Sequence, residues 1–257
     1  MRRRASGRRR AWPVRAAATL ALLGCCLPAS ATSLQISPVR VDLPAGPGAA
    51  ALTLRNTADT PIHAQVRVFR WTQADGADVL APADDVVASP PIVQIGGQAE
   101  QMIRVVRPGK AGTPGETAYR LLIDELPRRD APVDQSGVRV QLRYSVPVFA
   151  GTPTEAPPPA LALTLWRDGS EWWLGMRNGG TRHARVSDAA LVNGAQRVPL
   201  TAGLLGYALP GALRVWKVRV PPGFTPAAGL RLDTAINGEP QSLPVPNVLS
   251  GRPDAGT

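Results

Sequence analysis

Val138-Arg139-Val140-Gln141-Leu142-Arg143-Tyr144-Ser145-Val146-Pro147-Val148-Phe149 alternates for twelve residues, apolar at even positions and mostly polar at odd ones. A period of two marks a β-strand with one buried face, and this run is at least twice the usual strand length. The pattern alone fits either an interior strand of a sandwich or a strand at an edge. Pro147 favours the edge, because proline lacks the N–H that a central strand must donate. A long apolar edge strand invites aggregation unless something pairs with it.

Outward from this run, helical periodicity is almost absent, and short apolar stretches broken by Gly, Pro, Asn and Asp recur to about Val245. Strands are expected at Leu34 to Val41, Ala50 to Asn56, Ile62 to Trp71, Ile92 to Ile95, Gln101 to Val106, Ala118 to Leu126 and Val138 to Phe149. Seven short strands in this half, with turn signals such as Asp75-Gly76, predict an immunoglobulin-like sandwich over residues 32–150. Residues 151–159 hold Pro153, Pro157, Pro158 and Pro159 and read as a stiff linker. A second β-sandwich is expected over 160–250, with strands at Leu161 to Trp166, Glu171 to Asn178, Ala184 to Val192, Leu213 to Val220 and Leu230 to Ile236. The tail, 251–257, is expected to fray.

The first 31 residues read as a cleaved export signal. Seven arginines, Arg2 to Arg15, precede an apolar run from Ala16 to Leu27 and then Ala29-Ser30-Ala31, with cleavage before Thr32. Leu22-Leu23-Gly24-Cys25 also resembles a lipobox, and Arg8-Arg9-Arg10 a twin-arginine signal. Removing the signal leaves 22 basic against 19 acidic residues, so the formal charge falls from +10 to +3 and the main support for a nucleic-acid partner goes with it. Both cysteines, Cys25 and Cys26, lie in the signal, which denies the mature chain a disulfide, a thiol nucleophile or a zinc–thiolate site.

Enzyme chemistry has little to work with. The two histidines, His63 and His183, fall in different halves, and a metal site or triad would need them to meet across the linker. Asp84-Asp85 and Asp124-Glu125 are adjacent, so on a strand each pair splits between faces. No phosphate-binding glycine loop or nucleophile elbow is present. No cofactor is implied.

Several segments, in order and at their spacings, resemble the N-terminal domain of PapD-like periplasmic pilus chaperones. They are Ser33 to Arg40, Ala50 to Asn56, Ser89-Pro90-Pro91, Met102 to Val105, Gly115 to Arg120 and Glu125-Leu126-Pro127. In the second half Arg177-Asn178 and Ile236-Asn237-Gly238 extend the likeness. The resemblance implies two immunoglobulin-like domains in a boomerang arrangement, capture of pilus subunits in the periplasm and delivery to an outer-membrane usher. The mode it implies is strand donation, long described for such chaperones and pilins. The donor residues would be Val138, Val140, Leu142 and Tyr144. The ending Tyr144 to Phe149 resembles the branch that serves archaic pili with spore-coat-U-like subunits.

The family seats the subunit's C-terminal carboxylate on an arginine of the first strand and a lysine near the end of the donor strand. Arg40 matches the first, but the lysine position is Pro147. Arg143 shares the strand parity of 147, about 13 Å away at ~3.3 Å per residue, and Arg120 lies in the neighbouring expected strand. These two are the expected substitutes, with Arg40 secondary. Arg104 and Glu116 match a family pair that braces the two domains, and Gly238-Glu239 stands where the family has its third, acidic partner. Two rival readings are an immunoglobulin-like pilus subunit or adhesin and, from Cys25, a lipid-anchored envelope binding protein.

Overall fold

The computed structural model describes residues 34–109, 115–127, 141–152 and 157–253. Among these the regular elements are all strands: β1 (Leu34–Ser37), β2 (Val41–Leu43), β3 (Gly48–Asn56), β4 (Ile62–Ala74), β5 (Ala77–Pro82), β6 (Val87–Ser89), β7 (Ile92–Ile95), β8 (Glu100–Arg107), β9 (Thr117–Leu126) and β10 (Arg143–Ala150). The second half adds β11 (Leu161–Asp168), β12 (Glu171–Asn178), β13 (Ala184–Asn193), β14 (Gln196–Pro199), β15 (Leu204–Ala208), β16 (Leu213–Val218), β17 (Arg231–Ile236), β18 (Glu239–Pro244) and β19 (Asn247–Ser250).

The first half is a sandwich of the sheet β1-β3-β8-β6 against the sheet β2-β10-β9-β4-β5, in which β7 also pairs with β4. Alternation decides what lies between them. Leu52, Leu54, Ile103 and Val105 point inward from one sheet, and Val66, Leu121, Ile123, Val146 and Val148 from the other. Each such aliphatic side chain contributes roughly 1.5–3 kcal/mol on burial. The second half repeats the plan, with β16-β12-β11-β19 facing β14-β13-β17-β18 and β15 pairing with β13. Leu163, Leu165, Leu174 and Met176 there meet Val186, Leu191, Leu232 and Ile236. Both sandwiches are immunoglobulin-like, as expected.

Each sandwich pins a turn with a fully buried asparagine at a strand end. Asn56 Nδ2 donates to the carbonyls of Thr60, Ile95 and Gly96, while Oδ1 accepts from Ala58 N. Asn178 repeats this with Arg182 O, Ala208 O and Gly180 N.

The expected first strand, Leu34 to Val41, is two. The chain leaves one sheet after Ser37 and joins the other at Val41, with Pro38, which has no N–H for either ladder, between them. Thus β1 pairs antiparallel with β3, whereas β2 pairs parallel with β10.

Candidate functional site

Strand β10 has two different sides. Along one, it is paired with β9 throughout, Arg143 opposite Asp124 to Ala150 opposite Thr117. Along the other, β2 covers Val148, Phe149 and Ala150 alone. From Arg143 to Pro147 no strand of the described residues pairs on that side. Among the described residues the sheet thus ends there in an open edge, the placement that Pro147 suggests. Tyr144, half-buried, packs on the core face with Val146 and Val148, and Leu142 shares its parity. Of the other expected donor residues, Val138 and Val140 lie outside the described residues.

Cross-strand register sorts the remaining side chains onto the opposite, outer face. Arg143, Ser145, Pro147 and Phe149 stand there opposite Asp124, Leu122, Arg120 and Ala118. Continuing the β2 register back by one residue from Val41 and Val148 sets Arg40 level with Pro147. Arg40 Nε donates to Asp42 Oδ2 at 2.9 Å, and both residues are about half exposed. Position 147 is thus flanked across the sheet by Arg120 on one strand and Arg40 on the other.

Arg120 makes no hydrogen bond to a carboxylate among the described residues. Its guanidinium lies 3.7 Å from the centroid of the Trp71 ring and 5.4 Å from that of Tyr207. Burial lowers its pKa, and the field of Arg214 acts the same way against those of Asp78 and Tyr207. A cation held by ring faces keeps its N–H donors available to an incoming anion.

Arg143, by contrast, is engaged. Its Nε donates to Asp124 Oδ1, and Arg67 Nη2 donates to Asp124 Oδ2 at 2.7 Å. Burial raises the Asp124 pKa, but these two guanidiniums outweigh it and hold the carboxyl below the ordinary range. From the sequence, Arg143 and Arg120 are expected to seat a subunit carboxylate together. They face the same side, but four residues of strand separate their levels, so Arg40 is the closer companion of Arg120.

The outer face continues into a joint with the second sandwich. Trp71, Ala118 and Phe149 form one buried cluster with Tyr207 and Leu209. Gln73 reads the backbone of the other sandwich like a strand partner, donating to Tyr207 O and accepting from Leu209 N. The turn between β4 and β5 docks too: Gly76 O accepts from Val215 N at 2.9 Å and Arg214 Nη1 at 2.5 Å.

The expected Arg104–Glu116 brace is not what joins the halves. Arg104 is exposed on β8, since its neighbours Ile103 and Val105 take the inward positions. The Glu116 side chain is buried and binds His183 instead. Glu239 opens β18 on the surface, while Asn237 holds the His183 segment within the second sandwich, donating to His183 O and accepting from Arg185 N. The contributions of Trp71, Phe149, His183 and Tyr207 had no signal in the sequence, because residues this far apart along the chain meet only through the packing of two finished sandwiches.

Comparison with known proteins agrees with this architecture. Residues 33–155 match the family model of the pili and flagellar-assembly chaperone, PapD N-terminal domain. No curated protein matches the sequence. Among solved structures, the chain is similar to one from the CsuC–CsuE chaperone–tip adhesion subunit pre-assembly complex of archaic chaperone-usher Csu pili of Acinetobacter baumannii. The TM-score is 0.63 at 21% identity, covering 86% of this chain and 100% of that one. It is also similar to a chain of the Salmonella enterica SafA pilin–SafB chaperone complex (0.56, 20%, 84% and 96%). A third likeness is to the E. coli chaperone DraB (0.55, 18%, 84% and 96%). Residues 33–155 thus belong to the PapD N-terminal domain family of pili and flagellar-assembly chaperones, and the chain as a whole has the two-sandwich fold of PapD-like pilus chaperones.

Proposed function

We propose that this protein holds a pilus subunit by pairing the open edge of β10 with a strand of that subunit, and passes it to an outer-membrane usher. The observation that carries this reading is the run from Arg143 to Pro147, unpaired on one side among the described residues and flanked at the level of Pro147 by two arginines that face the same side. A subunit lacking one strand gains main-chain hydrogen bonds along the edge and apolar side chains in its groove. Val138, Val140, Leu142 and Tyr144 are the donor side chains. Each aliphatic one contributes roughly 1.5–3 kcal/mol before ordering costs. The subunit's terminal carboxylate is seated at the level of Pro147 by Arg120 and Arg40, the arginine pair replacing the family's arginine and lysine.

Two similar structures, a chaperone with a tip adhesion subunit and a chaperone with a pilin, support the partner class. No cofactor and no catalytic step enter this reading. Residues 1–31 act as the export signal, cleaved before Thr32, which puts the mature chain in the periplasm. The mass of the mature N terminus distinguishes this from lipidation at Cys25.

The test is co-expression in a periplasm with the pilin-like proteins encoded beside the gene, followed by affinity capture with wild type and a Val140→Asp/Leu142→Asp variant. Retention by wild type and loss by the variant is the expected result. Equal retention refutes strand donation.

A further inference from the structure

Among the described residues, the outer face beside the open edge carries more positive charge than its carboxylates neutralise. Arg143 and Arg67, with 61% and 42% of their side chains exposed, share the single carboxylate of Asp124, which is 14% exposed. Glu125, the next residue, cannot help: it points to the other face, where its carboxylate accepts from Tyr144 Oη at 3.2 Å. Gln65, beside Asp124 in register, is neutral. Among the described residues one positive charge is left over at the level of Arg143, on the strand that forms the edge.

Geometry fixes what an incoming strand presents there. With its terminal carboxylate at the level of Pro147, the residues before it run alongside Ser145 and then Arg143, so it lies parallel to β10. In a parallel pair, residues at one level point to one face, and every second residue returns to it. The residue level with Arg143 is therefore four positions before the C-terminal residue, and its side chain emerges beside the Arg143 guanidinium. Between the two levels Ser145 offers only a hydroxyl.

Resting on the reading above, we propose that the subunit's last strand carries an acidic side chain four residues before its C terminus, and that Arg143 selects for it. Arg143 Nε is taken by Asp124, which holds the guanidinium at one end, and its other N–H groups make no hydrogen bond among the described residues. A carboxylate placed there completes an alternating chain of Arg67, Asp124, Arg143 and subunit acid. A lysine at that level meets an unneutralised cation, and discrimination comes as much from that repulsion as from the favourable pair. The terminal carboxylate marks where the subunit ends, and this second acid tells one C-terminal strand from another.

The test uses the full chain, co-expressed with the pilin-like protein encoded beside it, and reads the amount of subunit captured. Arg143→Glu is expected to lower capture about tenfold, and a lysine in place of the subunit's acid four residues from its end is expected to restore it. Asp124 keeps Arg67 in this variant, and a single cooperative urea transition confirms its fold. Capture by Arg143→Glu at the wild-type level, failure of the lysine to restore it, or a subunit with no acid at that position overturns the proposal. Leu142→Asp runs in parallel: if it still captures subunit, strand donation itself fails, whereas its loss beside a fully active Arg143→Glu removes the acid-selecting role alone.

Discussion

Glu116 and His183, from different sandwiches, are joined at both the backbone and the side chain. The His183 amide donates to Glu116 Oε1 at 2.8 Å, and its ring Nδ1 lies 2.9 and 2.8 Å from the two carboxylate oxygens. Thr152 Oγ1 donates to Oε2, and the imidazole lies flat on Phe149, 3.5 Å between centroids and 5° between planes. The His183 and Glu116 side chains are 5% and 0% exposed, so removing one leaves the other without its partner. Glu116→Ala is expected to cost about 3 kcal/mol and to split unfolding in urea into two transitions, read by fluorescence and circular dichroism together. A single unshifted transition contradicts a joining role.

Acid should loosen the same joint. Burial raises the Glu116 pKa, but the hydrogen bond and charge of His183 and the Thr152 hydroxyl outweigh it and hold the group below the ordinary range. A carboxyl with a lower pKa in the folded state contributes stability that is whole above the unfolded value, about 4.3, and is lost as pH falls through the folded one. Asp85, held low by Tyr119 and Arg70 against burial, and Asp124 act in the same direction. Urea midpoints are therefore expected to hold from neutrality to about pH 5 and then fall, less steeply in Glu116→Gln than in wild type.

At the alkaline end two tyrosines report on their surroundings. Burial, then the hydrogen bond to Asp85, pushes Tyr119 up to about 12, and burial with Glu125 does the same to Tyr144. A group held protonated by the fold gives stability that is complete below its unfolded pKa, near 10, and disappears as pH rises through the folded value. Ultraviolet titration is expected to show both ionising about two units later than a free phenol, and Tyr119→Phe to remove one late step.

Gly76 stands at φ +81°, and a Cβ there would lie 2.4 Å from Val215 Cγ2. Gly76→Ala combines a left-handed backbone that costs about 1–2 kcal/mol with a collision at the docking turn. The loss should exceed that of Gly194→Ala, also left-handed at φ +61° but facing open space. Equal losses for the two variants mean that docking against Val215 is worth little.

Arg120→Lys keeps the charge and loses the plane. An ammonium cannot lie on Trp71 as a guanidinium does or offer two parallel donors to a carboxylate. Capture of the subunit is expected to fall roughly tenfold or more, since a charge-assisted hydrogen bond contributes about 1.5–3 kcal/mol. Wild-type capture by the lysine variant removes Arg120 from the carboxylate seat.

Where side chains alternate in and out, the sequence told the strands directly. Ile92 to Ile95 and Glu171 to Asn178 have the expected ends, and residue parity in β10 correctly put Arg143 and position 147 on one face. Strand β5 carried no such signal because all six of its residues are exposed, and β6 is only three residues long. The shortfall was greater at the site, for a different reason. Parity says which face a residue takes, but not which partner waits there. Arg143 met Asp124 and Glu116 met His183 through pairings that depend on register and on the second sandwich.

The parallel step of β2 onto the last three residues of β10 has a further consequence. It closes the edge at Val148, so an incoming strand can advance beside β10 only as far as Pro147. The closure is made by main chain and is indifferent to what the visitor's side chains are. Seen this way the edge is a ruler with a fixed zero. Subunits unlike one another in sequence can be served by the same protein if they end at the same mark, and one lengthened at its C terminus by even a few residues runs into β2 however well the rest of it fits.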